Sequence, residues 1–479
     1  MTDRDRFEHP LVSRYASEEM ARLFSPRKRV AIWRQIWIAL AQAQAELGLG
    51  GVTAEQVAAL EDAADDIDFA RAEELERELR HDVMAHVHAF GEVAPIARPI
   101  LHLGATSAFV VDNGDLLIMR EAMRVIERKA LCVVRALADF AGEHADRPTL
   151  AWTHFQPAQP TTVGKRACLW ISDLLLDLDE IAWRLENFRL RGVKGTTGTQ
   201  ASFLALTGGD HERVDEIERR VVAKLDAPGA FAVTGQTYSR KVDAAWAATL
   251  AGVAQSAGKF SHDLRLLQHL GEVLEPIGRD QVGSSAMPYK RNPMRSERMS
   301  GLSRLALQTS GSFAHTAATQ WLERSLDDSA VKRIALPELF LTIDALLILY
   351  FDVAGGLDVR SDAIARRLEA ELPALATESL LMAAVEAGGD RQALHERIRI
   401  RAREAAARVE AGQGSDLLDR LGGEEGFAAL LPEVWDRAQD PAAYVGRAPE
   451  QTRRFLAEVV LPRLSAYHGR LEMTGEVLV

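Results

Sequence analysis

Residues 116–140 read LLIMREAMRVIERKALCVVRALADF, and their spacing decides the fold class. Leu116, Met119, Met123, Ile126, Ala130, Val133, Leu137 and Phe140 step alternately by three and four. Held over several turns, this 3.5-residue repeat lays one apolar seam along a long helix that packs at a shallow angle against others. Ala167, Ile171, Leu174, Leu178, Ile181, Leu185 and Phe188 repeat it, as do Val242, Trp246, Leu250, Val253, Ala257, Phe260, Leu264 and Leu267. Helical stretches near 296–310 and 338–350 bring the number to five. The predicted fold is all-α, with a long central helical bundle. Helices of this length expose more apolar surface than one chain covers, so partner subunits are expected to complete the bundle.

The rest of the composition agrees with this. The chain has 479 residues, 47% of them hydrophobic, with charged residues interspersed rather than blocked. A net charge of -12 argues against a nucleic-acid or anionic-membrane surface, so an anion site has to be a local concentration of Arg and Lys. Cys132 and Cys168 are the only cysteines, too few for a disulfide framework or a cysteine zinc site. The first residues lack the apolar core of a signal peptide, and a cytoplasmic location is expected. The apolar run from Ile334 to Phe351 carries Glu338 and Asp344 and is expected to be broken by Pro337, a buried helix rather than a membrane span.

Four polar islands interrupt the helical background: residues 79–88, 104–107, 152–160, and 283–294 continued by Arg295-Ser296-Glu297-Arg298. In the first, His81, His86 and His88 are separated by five and two, not by the three or four of a helical metal pair. His86 and His88 read as helix-end histidines, whereas His81, between Arg80 and Asp82, suits substrate contact. In the third, His154 lies near Pro157 and Pro160, where a helix cannot run, and Thr153 and Gln156 offer hydrogen bonds that would fix its tautomer. Histidine ordinarily ionises near neutrality, so His154 is a candidate general acid, against the alternative of a capping or buried structural role.

The fourth island cannot be regular helix, because Pro288 and Pro293 remove donors and Gly283 adds freedom at its entrance. Neither Ser284 nor Ser285 sits in the Gly-x-Ser-x-Gly elbow of a hydrolase; tested on Ser285, the last position is Met287. Lys290, Arg291, Arg295 and Arg298 set a positive field beside the hydroxyls, which favours an alkoxide and attracts carboxylates. Gly195-Thr196-Thr197-Gly198, Gly208-Gly209 and Val163–Arg166 all lack phosphate-loop spacing, which disfavours a nucleotide hydrolase or a nicotinamide enzyme.

The loop from Ser284 resembles the Ser-Ser-x-Met-Pro-x-Lys-x-Asn signature of the fumarase/aspartase superfamily, and in its fuller form, to Glu297, that of the adenylosuccinate lyase family. Ser13-Arg14-Tyr15, residues 80–88, 153–159, 235–241 and 321–333, and Gly446-Arg447-Ala448-Pro449 strengthen the likeness. The resemblance implies an all-helical subunit in three parts (1–106, 107–359 and 360–479). It also implies a homotetramer whose active sites are each built from three chains, with no cofactor and no metal. The activity implied is elimination of fumarate from two purine ribotides, with Ser284 as general base and His154 as general acid. For that reaction Lys290, Asn292, Thr106 and Ser107 are candidate partners of the succinyl carboxylates, and Arg14, Tyr15, Arg324, Ser329 and Arg333 supply the forked cations and hydroxyls a ribotide phosphate needs. Gln236 would read the base or the succinyl group, and Arg80, His81, Asp82, Thr153 and Arg298 would complete the pocket. The alternatives are another fumarate-releasing lyase, such as argininosuccinate lyase, or an inactive structural relative. Tyr289, Arg291 and the 236–241 island favour the purine substrate, and the intact loop and His154 speak against inactivity.

Overall fold

A computed structural model describes residues 7–278, 284–287 and 289–477. Gly283 and Pro288, to which the sequence assigns a role in shaping the serine loop, and the first six residues lie outside the described residues. The N-terminal region holds five helices: α1 (Glu18–Leu23), α2 (Pro26–Glu46), α3 (Ala54–Asp62), α4 (Phe69–Leu79) and α5 (Asp82–Val93). Their starts are written locally. Ser25 caps α2 with Pro26 as its first residue, Thr53 and Gln56 form a capping box on α3, and Asp68 caps α4.

Five long helices follow as expected: α6 (Ser107–Glu143), α7 (Val163–Glu186) and, after α8 (Ala201–Leu206) and α9 (His211–Lys224), α10 (Lys241–His269), α11 (Met294–Thr319) and α12 (Asp327–Ala354). Helix α6 packs on α7 and α12, and α10 packs on α7, α11 and α12. Met119, Met123, Ile126, Ile171, Leu174, Val253 and Phe260 are wholly buried, so the heptad seams are the core. Beyond the bundle come α13 (Ser361–Leu375), α14 (Thr377–Glu386), α15 (Arg391–Glu410), α16 (Leu417–Gly422), α17 (Pro432–Gln439), α18 (Ala448–Phe455) and α19 (Leu461–Ser465). A second, smaller core gathers residues of the 376–444 region, around Leu380, Leu394, Leu421 and Phe427.

Two expectations need correction. Pro337 does not break the apolar run, since α12 continues through it. Leu336, Leu339 and Phe340 around it are buried, and their packing outweighs the roughly 3 kcal/mol an internal proline costs. Among the described residues α12 is the one helix long and apolar enough to cross a membrane, and 78% of its most apolar window is buried inside the protein. Among the described residues the all-α reading holds apart from two small antiparallel sheets: the hairpin of β1 (Pro148–Thr153) with β2 (Gln156–Thr162), and the long-range pair of β3 (Val273–Leu274) with β4 (Asp358–Val359).

The core also contains an uncompensated acid. Asp177 on α7 is buried and accepts a hydrogen bond from Ser256 Oγ on α10 at 2.6 Å. Burial, reinforced by nearby Asp173, pushes its carboxyl up to about 7. A raised folded value means that stability is fully present below the unfolded value and is lost as pH rises toward 7. Asp177→Asn is therefore expected to stabilise the protein by about 1–3 kcal/mol at pH 8 and by much less near pH 4, read from urea unfolding at both pH values.

Candidate active site

The bundle helices divide the candidate residues between its two ends. At the first end, His81 caps α5, accepting from Met84 N at 3.4 Å, and its Nε2 lies 3.2 Å from Ser107 Oγ at the start of α6. Thr106, the residue before α6, makes no side-chain cap bond, so the amides of the first turn and the positive end of a 37-residue helix face this side. Asp82 is hydrogen-bonded to Arg333 of α12. Burial alone would raise the Asp82 carboxyl, but the Arg333 hydrogen bond and charge overcome it and hold the group below the usual range. Arg324, Ser329 and Arg333 line one narrow cavity with Arg29 and Lys332. Arg80 holds a left-handed backbone (φ 54°) as the C-cap of α4. Arg14 and Tyr15 sit in a single π-helical turn, Leu11–Tyr15, packed against α12.

Gln236 belongs to the same end. Its N–H donates to Glu323 O at 3.0 Å and its carbonyl accepts from Arg191 Nε at 2.8 Å, which ties the 235–241 island to the 321–326 loop. The Gly195–Gly198 segment has its explanation here: Gly198 has φ +83°, and a Cβ would stand 1.9 Å from Thr234 O. That glycine serves a close backbone approach, not a phosphate.

Under this surface lies a buried charge network that the sequence reading missed. Arg240 Nε donates to Asp328 Oδ2 at 2.5 Å and its Nη2 to Asp112 Oδ1 at 3.0 Å. Lys332 Nζ reaches Tyr238 OH (2.9 Å) and Asp115 (2.9 Å), and Tyr238 OH donates to Asp243 at 2.6 Å. Burial would raise Asp112, yet the Arg240 and Lys332 charges keep it low, whereas burial keeps Asp243 raised. Asp328 also stands 3.8 Å from Arg324, so the network holds a surface cation from below. The available signal was an acid inside an apolar seam, Asp112 and Asp115 on α6 and Asp243 on α10.

At the second end stand His154 and the serine loop. Thr153 pairs with Gln156 across β1 and β2, leaving His154 and Phe155 as a two-residue turn with φ of 55° and 56°. Such turns normally take Asn-Gly; here a histidine and a phenylalanine occupy it, an arrangement that concentrates at functional sites. His154 is exposed. The expectation that Thr153 and Gln156 fix its tautomer is not met: Gln156 Nε2 donates to Phe155 O at 3.2 Å, and among the described residues none hydrogen-bonds the His154 ring. The hairpin's position follows from Val163 N and Gly164 N, which bond Arg147 O and His144 O at the far end of α6. Helix α6 is about 55 Å long and the hairpin reaches back by at most about 20 Å, so His154 stands tens of ångströms from Ser107 within one chain.

Ser284 lies between α10 and α11, and its Oγ accepts from Met287 N at 3.1 Å. Ser285 is exposed, as are Lys290 and Arg291, and Asn292 is half-buried. Two of the four expected field cations are engaged elsewhere: Arg295 pairs with Asp352 at 3.1 Å, and Arg291 lies 3.8 Å from Asp358. Lys290 and Arg298 remain the field sources, and Arg298 Nη1 is buried with no hydrogen-bond partner among the described residues. His86 and His88 also depart from expectation, since both lie inside α5 rather than at its end. The His86 ring is edge-on to Trp33 (5.8 Å) and Phe69 (6.3 Å), with burial lowering its basicity. Among the described residues no group of three or more His, Cys, Asp or Glu is arranged to hold a metal.

A lyase family model matches residues 14–307 and an adenylosuccinate lyase C-terminus model matches 373–455. The chain is 48% identical over 474 residues to adenylosuccinate lyase of Saccharomyces cerevisiae, covering 98% of each chain. It is 43% identical to that of Schistosoma mansoni over the full length of both. The chain belongs to the adenylosuccinate lyase family. Its architecture is shared more widely. The 3-carboxy-cis,cis-muconate lactonizing enzyme of Pseudomonas putida superposes with a TM-score of 0.83 at 26% identity, over 96% of this chain and 100% of that one. A fumarate lyase from Mesorhizobium superposes with a TM-score of 0.80 at 24% identity, over 94% and 99%. Fold alone therefore does not separate the branches of the superfamily. Sequence identity along the whole length assigns this chain to the adenylosuccinate lyases, and it is a lyase.

Proposed function

We propose that this protein eliminates fumarate from adenylosuccinate, giving AMP, and from the succinyl-aminoimidazole-carboxamide ribotide (SAICAR), giving its carboxamide. It would do so in the cytoplasm as a step of purine nucleotide synthesis. The observation that carries the reading is identity of 48% across 98% of both chains to an adenylosuccinate lyase, in a chain that carries both the Ser284 loop and His154. In the proposed reaction Ser284 takes the proton from the succinyl carbon beside a carboxylate. The C–H electron pair becomes the fumarate double bond, the C–N pair leaves with nitrogen, and His154 supplies the proton that nitrogen needs. The negative charge that builds on the carboxylate between these events is met by Lys290, Asn292, Thr106 and Ser107. Two features support Ser284 over Ser285: its oxygen accepts the Met287 N–H, a bond that strengthens as the oxygen ionises, and it is the less exposed. The unmet donor of Arg298 suits a substrate carboxylate or carbonyl. Arg14, Tyr15, Arg324, Ser329 and Arg333 provide the forked cations and hydroxyls a phosphate requires, with Arg80, His81, Asp82, Thr153 and Gln236 around the base and succinyl group.

The same reading includes a subunit in three parts, 1–106, 107–359 and 360–479, assembled as a homotetramer with each site drawn from three chains. Supporting it, the candidate residues of one chain are split between opposite bundle ends, and Leu169, Leu176 and Trp183 form an exposed stripe spaced by seven along α7.

The test is to incubate the purified protein with adenylosuccinate and follow AMP and fumarate together. Equimolar release of both is expected; release of neither from a folded protein sinks the reading. Site sharing has its own check. With Ser284 and His154 of each site supplied by different chains, mixed and reassembled Ser284→Ala and His154→Ala subunits should regain activity in about a quarter of sites by random assortment; no regain would place both residues on one chain.

A further inference from the structure

The π-turn Leu11–Tyr15 has only Leu11 buried, yet it carries Arg14 and Tyr15. What fixes it lies just beyond. Ser17 is buried; its N–H donates to Asp344 Oδ2 at 2.6 Å, and its Oγ accepts from Lys129 Nζ at 3.0 Å. Lys129 on α6 and Asp344 on α12 are themselves a fully buried ion pair at 2.5 Å. Two charges taken out of water gain little net stability over an apolar pair of the same size, so their presence calls for a task. Here both partners converge on Ser17, two residues past Tyr15.

The C-terminal tail covers this point from outside. Arg128 Nη1 donates to Glu472 O at 3.0 Å, and Thr474 Oγ1 donates to Glu19 Oε2 at 2.5 Å. Gly475 has φ +102°, and a Cβ there would stand 2.6 Å from Ile348 Cδ1 and 3.2 Å from Ser17 Cβ. Only a residue without a side chain lets the tail lie this closely on Ser17.

We propose that the Lys129–Asp344 pair and the tail around Gly475 clamp Ser17 from two sides and thereby position Arg14 and Tyr15 for the ribotide phosphate. Ser17, Lys129, Asp344 and Gly475 are positioning residues, since none of them is placed to touch substrate, and the inference rests on the phosphate reading of Arg14 and Tyr15.

The test measures steady-state kinetics on adenylosuccinate for Gly475→Val, for the double variant Lys129→Met/Asp344→Leu, for Arg14→Ala, and for each of the first two combined with Arg14→Ala. The double variant removes both charges together, which avoids stranding one and keeps a route open should Gly475→Val not fold. Each clamp variant is expected to raise KM roughly tenfold, the scale of one well-formed hydrogen bond, with kcat within about twofold, and to add nothing further once Arg14 is gone. A KM unchanged by Arg14→Ala alone would show that the phosphate reading fails, and the inference with it. If Arg14→Ala raises KM while the clamp variants do not, or their effects multiply with its own, the positioning role is overturned and the phosphate reading stands.

Discussion

Ser284→Ala is expected to lower kcat on the order of 10⁴-fold, the upper end of what one proton-transfer group supplies, while AMP affinity stays within about twofold of the parent. The size follows from the chemistry. The proton beside a carboxylate is weakly acidic, so its removal needs a strongly basic, ionised oxygen. The Met287 N–H already directed at Ser284 Oγ and the Lys290 field both favour the ionised form and lose their object when the hydroxyl is removed. Fold and binding should survive, because Ser284 closes only a local turn. Ser285→Ala is the control, expected to keep most of the turnover. Near-normal kcat in Ser284→Ala, or a collapse in Ser285→Ala instead, would transfer or remove the role of base.

The second largest effect is expected for His154→Ala, a loss of about a hundredfold or more in kcat. A nitrogen leaving group departs poorly without a proton, and the exposed turn offers no second acid within it. A general acid must be protonated to act, so the parent's kcat should fall on the alkaline side of its pH profile and that limb should vanish in the variant. Loss of activity with the alkaline limb kept would mark His154 as a substrate contact and leave the acid to be sought elsewhere.

The bundle and the polar islands that interrupt it were legible in the sequence for one reason: both are written in short-range spacing. The 3.5-residue seam needs only neighbours three and four apart, and it located α6, α7 and α10 through residues most of which are buried. The polar islands stand out because prolines, hydroxyls and cations interrupt that seam within ten residues. What lay beyond reach depends on partners far away in the chain. Arg240 meets Asp328 and Asp112 across 88 and 128 positions, and nothing local to Asp112 says which cation answers it. The His154 turn was missed as a hairpin because it has no glycine or asparagine to announce left-handed backbone; the pairing of Thr153 with Gln156 across β1 and β2, rather than local propensity, goes with φ of 55° and 56°. Pro337 was misjudged for the converse reason, since a buried apolar face tolerated the break that local rules demand.

By itself, then, the sequence determined that long amphipathic helices bundle and that a serine loop, a histidine and clustered arginines interrupt them, because periodicity and backbone chemistry act within a few residues. Only the tertiary structure decided how those groups are distributed. It put His81, Ser107 and Arg333 together at one end of the bundle and carried His154 and Ser284 to the other. A rigid helix of 37 residues fixes the distance between its ends, while the partners of buried charges are chosen by which helices pack side by side.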